Sequence, residues 1–347
     1  MKTNLLFVLF LLSSFSLRAQ TVPTENVEED TVVQSKPHKE NFLKRLDNWL
    51  AGTYFNSKYD TSYVARPRQR WLIRLMANQT GDYIHAKGTI KDVYSKYDLH
   101  TRNKTTVSLE VNYCDIAVAL SVNPAEMSGK YKDYEFNFEY HNPKLSLDFN
   151  YQRSTSLKGD VKLDNFNHLD EDGLRLKVYN VTGIYTFNHR QFSFPAALYQ
   201  NYYQLRSAGS WLAGVSFQGG SIRTTDELKQ RSSEAPDVHL TVTNLGIGGG
   251  YGYNWALGHS RWLLHLSALP TFVVYQHNRL AVNGEDIREN RSNFNMIFNE
   301  RAAVVYHFSP RLHAGTSLMM SNSVFDDENV RVRQNKFLVR AFIGVRF

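Results

Sequence analysis

The sequence predicts an all-β fold: a transmembrane, antiparallel, up-and-down β-barrel of about twelve strands, preceded by a short N-terminal amphipathic helix. Three observations carry that expectation. From Trp71 to Phe347, apolar and polar side chains take turns with a period of two, the mark of strands with one greasy and one wet face. The connections between these stripes alternate between long and tight. Aromatic residues make up 13% of the chain, with 20 Tyr and 21 Phe, yet the mean hydropathy is −0.43. Many rings on a polar chain suit a barrel with aromatic girdles and a polar interior.

The chain opens with Lys2 and the apolar run Leu5 to Leu12, followed by a Ser-rich stretch leading to Ala19-Gln20. This is the pattern of a signal peptide over residues 1–19, cleaved after Ala19; the apolar run is too short to span a bilayer as a helix. Gln20, and no Cys, follows the cleavage point, so no lipid anchor is expected, and the single Cys114 leaves no internal disulfide. Residues 20–70 read as an N-terminal segment. Its first part, to residue 38, is polar and acidic without periodicity. In Glu40 to Leu50, the residues Phe42, Leu43, Leu46, Trp49 and Leu50 recur at helical spacing. The barrel is expected over 71–347. The formal charge of +7 is spread among mixed signs, which argues against a nucleic-acid partner.

The clearest strand pair sets Tyr134, Phe136, Phe138 and Tyr140 against Leu145, Leu147, Phe149 and Tyr151, around the turn His141-Asn142-Pro143. Similar stripes recur at Val107 to Val111, Ile116 to Val122, Trp211 to Phe217, Trp262 to Ala268, Leu312 to Met320 and Val339 to Phe347. Long connections are expected at 81–104, 123–131, 154–173, 223–236, 276–291 and 326–334. Tight turns are expected at Tyr113 to Asp115, His141 to Pro143, Ala256 to Ser260 and Ser309-Pro310. That asymmetry is the one between extracellular loops and periplasmic turns. One stretch breaks it: 188–201 falls on the short side yet is long and contains Phe194-Pro195. Either a strand pair lies there or a small element covers the mouth. The run Gly246 to Gly252 superficially evokes a phosphate loop, but no helix follows it. Relief of crowding or wall curvature is the better account. A parity change between Val242 and Leu245 predicts a bulge.

Several stretches resemble an uncharacterised family of Bacteroidota outer-membrane barrels, domain-of-unknown-function family forty-four twenty-one. They are Asp60-Thr-Ser-Tyr-Val64, the hairpin Val107 to Val122, Gln204 to Gly214, and Leu245 to Tyr253. The resemblance covers nearly the whole mature chain. It implies location and fold and offers no catalytic residues. The final Phe347 on the apolar stripe resembles the strand ending that barrel-assembly machinery is thought to read. The expected setting is the outer membrane of a Gram-negative bacterium, with outer-membrane lipid and that machinery as partners.

With apolar stripes facing lipid, the residues expected to line the lumen are Arg74, Glu110, Asp133, Glu135, Glu139, Asp148, Arg301, Arg340 and Arg346. Acids on the fourth and fifth strands would face bases on the first, tenth and twelfth. Two readings follow: a small-solute channel with a transverse field, or a filled lumen whose charges pair. Glu300 shares parity with apolar Phe298 and Ala302; a bulge turning it inward, or a place near a rim, would resolve the conflict. His265, His307 and His313 have lumen parity, and Ser207 and Ser210 flank Gly209, so a lipid-modifying enzyme is a further, less favoured reading. No motif marks a catalytic, metal or cofactor site. Asp326-Asp327-Glu328 reads as a solvated loop tip. Tyr113, Tyr140, Tyr151, Trp255, Trp262, Tyr306 and Phe308 are expected in interfacial belts.

Overall fold

The computed structural model describes residues 42–56, 58–90, 93–101, 103–124, 134–163, 166–232, 237–287, 295–326 and 330–347. The signal peptide, the acidic lead, Asp133, Asp327 and Glu328 lie outside the described residues, as does the side chain of Glu135. The chain divides into two compact units, residues 1–45 and Leu46–Phe347. The described part of the first is the start of helix α1, Phe42–Asn56, which runs further than the sequence spacing implied.

Twelve antiparallel strands close on themselves: β1 (Trp71–Ile90), β2 (Lys104–Tyr113), β3 (Ile116–Val122), β4 (Tyr134–His141), β5 (Leu145–Ser154) and β6 (Leu174–Thr186), then β7 (Ala208–Thr224), β8 (Val238–Leu257), β9 (Trp262–Val282), β10 (Met296–His307), β11 (Leu312–Asp326) and β12 (Val330–Arg346). The seam pairs β12 with β1 without a break, from Val330 opposite Gly88 to Arg346 opposite Leu72. The outward parity carries Leu75, Val215, Leu266 and Ile343, all exposed. Two aromatic rings bound this apolar band. At the tight-turn end Trp71 meets Tyr113 and Trp262 meets Tyr306, both at 4.6 Å between centroids. Toward the long-loop end Tyr134 pairs with Tyr151, Tyr179 with Phe217, and Tyr83 with Phe337. Rings of this kind sit where hydrocarbon gives way to water. The chain is a transmembrane barrel.

Three expectations change. Stretches 81–104 and 154–173 are sheet as well as loop: β1 runs on to Ile90 and pairs with 93–101, which pairs with 157–163 and that in turn with 166–169. The inner side of this extension packs Ile84, Tyr97, Leu99, Leu157, Val161 and Leu169 with Leu228 of a short helix at 226–231. Loops from β1–β2, β5–β6 and β7–β8 thus converge on one apolar cluster. The bulge between Leu245 and Gly246 is real, but its extra residue, Val274, is supplied by β9. Glu300 does not turn inward. It stays in an unbroken ladder between Ala268 and Met320 and keeps outward parity. Its carboxylate accepts a hydrogen bond from Asn322 Nδ2 at 3.2 Å, which gives the charge a polar partner two residues from Phe298.

The glycine run has a steric cause. Gly248 and Gly250 share the inward parity of buried Asn254, and β9 presses close against them. A Cβ at Gly250 would lie 2.0 Å from the Ala268 carbonyl oxygen, and one at Gly248 would lie 2.1 Å from that of Pro270. Backbone atoms cannot swing aside as a side chain does. We expect Gly250→Val to cost about 2 kcal/mol or more, in the range of overpacked cores. Urea unfolding of the barrel in micelles measures this; an unshifted midpoint would mean that β9 moves away freely.

Candidate functional site

The stretch that broke the alternation of loop lengths lies inside the barrel. After β6 the chain turns through 187–191 and forms helix α2, Phe194–Leu198, all five residues buried. Local chemistry explains so short a helix. Ser193 caps it by accepting from Ala196 N at 3.1 Å, and Pro195 starts the first turn. Two extended residues follow, Tyr203-Gln204, paired with Val64-Ala65 ahead of the barrel. Of the two possibilities the sequence left open at 188–201, the small covering element is the one present.

The wall grips this plug from many directions. Arg74 on β1 is fully buried and forms a two-pronged pair with Glu110 on β2, Nε to Oε1 at 2.7 Å and Nη2 to Oε2 at 2.5 Å. Its remaining nitrogen donates to Leu198 O at 3.1 Å and Gln200 Oε1 at 2.6 Å. From β12, Arg346 donates to Gln200 O and to the Tyr203 hydroxyl, each at 2.6 Å. From β8, Asn254 Nδ2 donates to Ser193 O and Gln204 Oε1, each at 2.9 Å. From β2, Asn112 donates to Asn201 at 2.6 Å. Phe192 lies against Gly252, 3.1 Å from where a Cβ would stand, so the glycine strand also seats the plug.

Above it, acid meets base across the lumen. Arg301 on β10 reaches Asp148 on β5 at 3.3 Å, and both contact the Tyr199 hydroxyl of the plug, at 3.2 and 3.1 Å. His141 stacks on the Tyr199 ring and lies 3.3 Å from Asp148 and 3.6 Å from Glu139. Arg340 donates to Asn78 at 3.0 Å. Of the expected lining residues, the structure therefore brings together Arg74 with Glu110 and Asp148 with Arg301. Arg346 is spent on the plug. His265 bonds Asn254 and Ser267, and His307 and His313 are buried. Ser210 bonds Asn188 N and Trp211 O, while Ser207 accepts from Ala256 N; the bonds described for these serines run to backbone and reach no histidine. Sequence reasoning missed Tyr199, Gln200, Tyr202, Gln204 and Asn254. The only signal for the first four was an apolar, amide-rich run where a tight turn was due.

Where the plug leaves the tight-turn end, Tyr202 donates to Asp115 Oδ1 at 2.8 Å in the β2–β3 turn. Asp115 is buried, and desolvation raises its pKa to about 7 against the opposing pull of the Tyr202 bond and Arg66. Its neighbour Cys114 is pushed up to about 11 by the same burial.

A family model described as a domain of unknown function (DUF4421) matches residues 58–347. Solved structures that the chain is similar to include three bacterial proteins. The outer-membrane protease OmpT of Escherichia coli has 6% identity, covers 81% of this chain and 97% of its own, and gives a TM-score of 0.41. The β domain of the Bordetella autotransporter BrkA has 10% identity, 82% and 100% coverage, and a TM-score of 0.31. The Pseudomonas putida toluene transporter TodX has 8% identity, 85% and 94% coverage, and a TM-score of 0.21. No curated protein matches the chain.

Two outcomes check the site. Glu110→Ala leaves Arg74 charged, buried and short of its main partner, and should cost about 3–5 kcal/mol in unfolding experiments; a loss below about 1 kcal/mol would mean that water reaches the guanidinium. Asp115 binds its proton more tightly folded than unfolded, so its contribution is present in acid and lost as pH rises through about 7. Wild type should lose stability between pH 5 and pH 8 relative to Asp115→Asn, by up to about 3 kcal/mol. Parallel pH curves for the two proteins would contradict this.

Proposed function

The chain belongs to the DUF4421 family, a domain of unknown function, and from that premise we propose that it is a closed, non-conducting barrel of the Gram-negative outer membrane, working as a surface scaffold. One observation carries this reading. The segment 187–204 makes side-chain hydrogen bonds to β1, β2, β5, β8, β10 and β12, that is, to every side of the ring, and so fills its cross-section. A twelve-stranded barrel has room for a narrow path only if its interior is left vacant. Here that space holds a helix, buried aromatics and paired charges. The long-loop end is extracellular in this reading, and the extended sheet of β1, 93–101 and 157–163 is what the barrel presents there. Assembly through recognition of the strand ending at Phe347 belongs to the same reading.

Planar-bilayer recording tests it. Wild type should be silent at either polarity, and a variant in which residues 192–202 are replaced by a short Gly-Ser linker should conduct. Sustained wild-type conductance would return the small-solute channel to first place.

A further inference from the structure

Beyond the Tyr83–Phe337 ring, the outward face of the extended sheet changes character. Register places Asp326 opposite Arg331, Arg331 opposite Lys87, Lys87 opposite Lys96, and Lys96 opposite Lys162. Four cations thus stand side by side on four adjacent strands, all exposed. At strand spacing the row spans about 14 Å. Like charges directly opposite one another destabilise a sheet; the row beneath mixes its signs, although Asp98 there faces Asp160. There Arg333, His85, Asp98, Asp160 and His168 stand in sequence, with Asp98 bonded to His85 at 2.7 Å and also paired with Lys96. A third row adds His100 and Lys158, the latter paired with Glu171 at 2.9 Å. The face as a whole is cationic, and its upper row sets four cations in succession, of which Lys96 also pairs with Asp98.

Its position determines what such a row can meet. Lys87 follows Tyr83 by four residues on the same outward parity, about 13 Å along the strand, which becomes about 10 Å of height for a strand tilted about 40°. The side chains therefore point away from the barrel axis, over the bilayer, at the level of headgroups. The occupant that matches such a row is a membrane lipid with phosphate on its headgroup, since phosphate oxygens accept charge-assisted bonds from several ammonium and guanidinium groups at once. A lipid also fits the lateral direction: its acyl chains would continue down the apolar outward face toward Leu75 and Ile343, where a soluble anion has nothing to touch.

We infer that the outward row Arg331, Lys87, Lys96 and Lys162 binds the phosphorylated headgroup of an outer-leaflet glycolipid. The inference rests on the proposed outward placement of the long-loop end; its test reads binding in micelles, so a conducting barrel and a lipid-indifferent one give separate results. Full-length barrel in neutral detergent is titrated with diphosphoryl lipid A and with its dephosphorylated form, with complexes counted by native mass spectrometry. Wild type should bind the phosphorylated lipid and lose it at high salt. Lys87→Gln, Lys96→Gln and Lys162→Gln together should weaken binding between about tenfold and a hundredfold, and dephosphorylation should weaken it equally for wild type. Lys229→Gln, at another loop, should change nothing. Equal affinity of wild type and triple variant, or of the two lipids, would overturn the inference. So would displacement of the lipid by an equal concentration of inositol hexakisphosphate, because the row would then be a site for soluble polyanions. The lipid comparison on wild type stands even if the triple variant assembles poorly.

Discussion

A strand that crosses a membrane carries unpaired N–H and C=O groups along both edges, with no water to satisfy them. In this chain the seam discharges that demand: β12 and β1 pair over 17 consecutive positions with no bulge. Everything else follows from closing the ring. Once twelve strands are joined, half of their side chains must point into an interior too wide for them to fill alone and too narrow to leave as bulk water. The inward parity is therefore polar, and the space left over is taken by a segment of the same chain. The plug is the second half of the solution to closure, which is why it bonds to strands all around the ring.

Burying charge in that interior is costly, and the arrangement at Arg74 meets the cost in full. The guanidinium makes four described hydrogen bonds, two to one carboxylate and two to the plug. Such a pair adds little net stability over an apolar equivalent, yet removing one partner is severe. The pair thus fixes position more than it adds strength. It makes a plug shifted by a residue far less stable than the docked one, and Asn254 does the same from the opposite wall by bonding both Ser193 O and Gln204. The glycines of β8 add a geometric term: with no Cβ at Gly252, Phe192 seats against the wall.

Much of the barrel was legible because its determinants are local. Alternation needs only neighbours, and a turn such as His141-Asn142-Pro143 declares itself in three residues. The plug was not legible, because its partners on Arg74 lie 124 and 126 residues away, and no periodicity encodes such contacts. The inward bulge considered for Glu300 is absent for a related reason: its polar partner Asn322 is on the next strand, so the carboxylate looked more isolated than it is. The extension beyond residue 81 was missed because its polarity inverts. Up to Tyr83 most outward residues of β1 are apolar, as at Leu75, and most inward ones polar, as at Arg74 and Asp82. Past Tyr83, His85 and Lys87 face out while Ile84 packs inside. The backbone keeps its two-residue period, but the media on its two faces exchange places, and a reading that assumes lipid outside sees the pattern stop.

That inversion locates the edge of the hydrocarbon more sharply than the aromatic ring does. It also gives meaning to the charges above it. In a sheet meeting water on its outer face charges of either sign are tolerated, and the row through Arg333, His85, Asp98 and Asp160 carries both. The next row, one step further out, sets four cations in line. Lys87, Lys96, Lys162 and Arg331 come from β12 and three separate parts of the long-loop extension, so no local run of sequence produces the line; only the register assembles it. Asp98 offsets part of that repulsion at Lys96, and in the proposed setting phosphate headgroups would offset more of it. The strain in the free sheet then becomes a preference for one depth in the membrane.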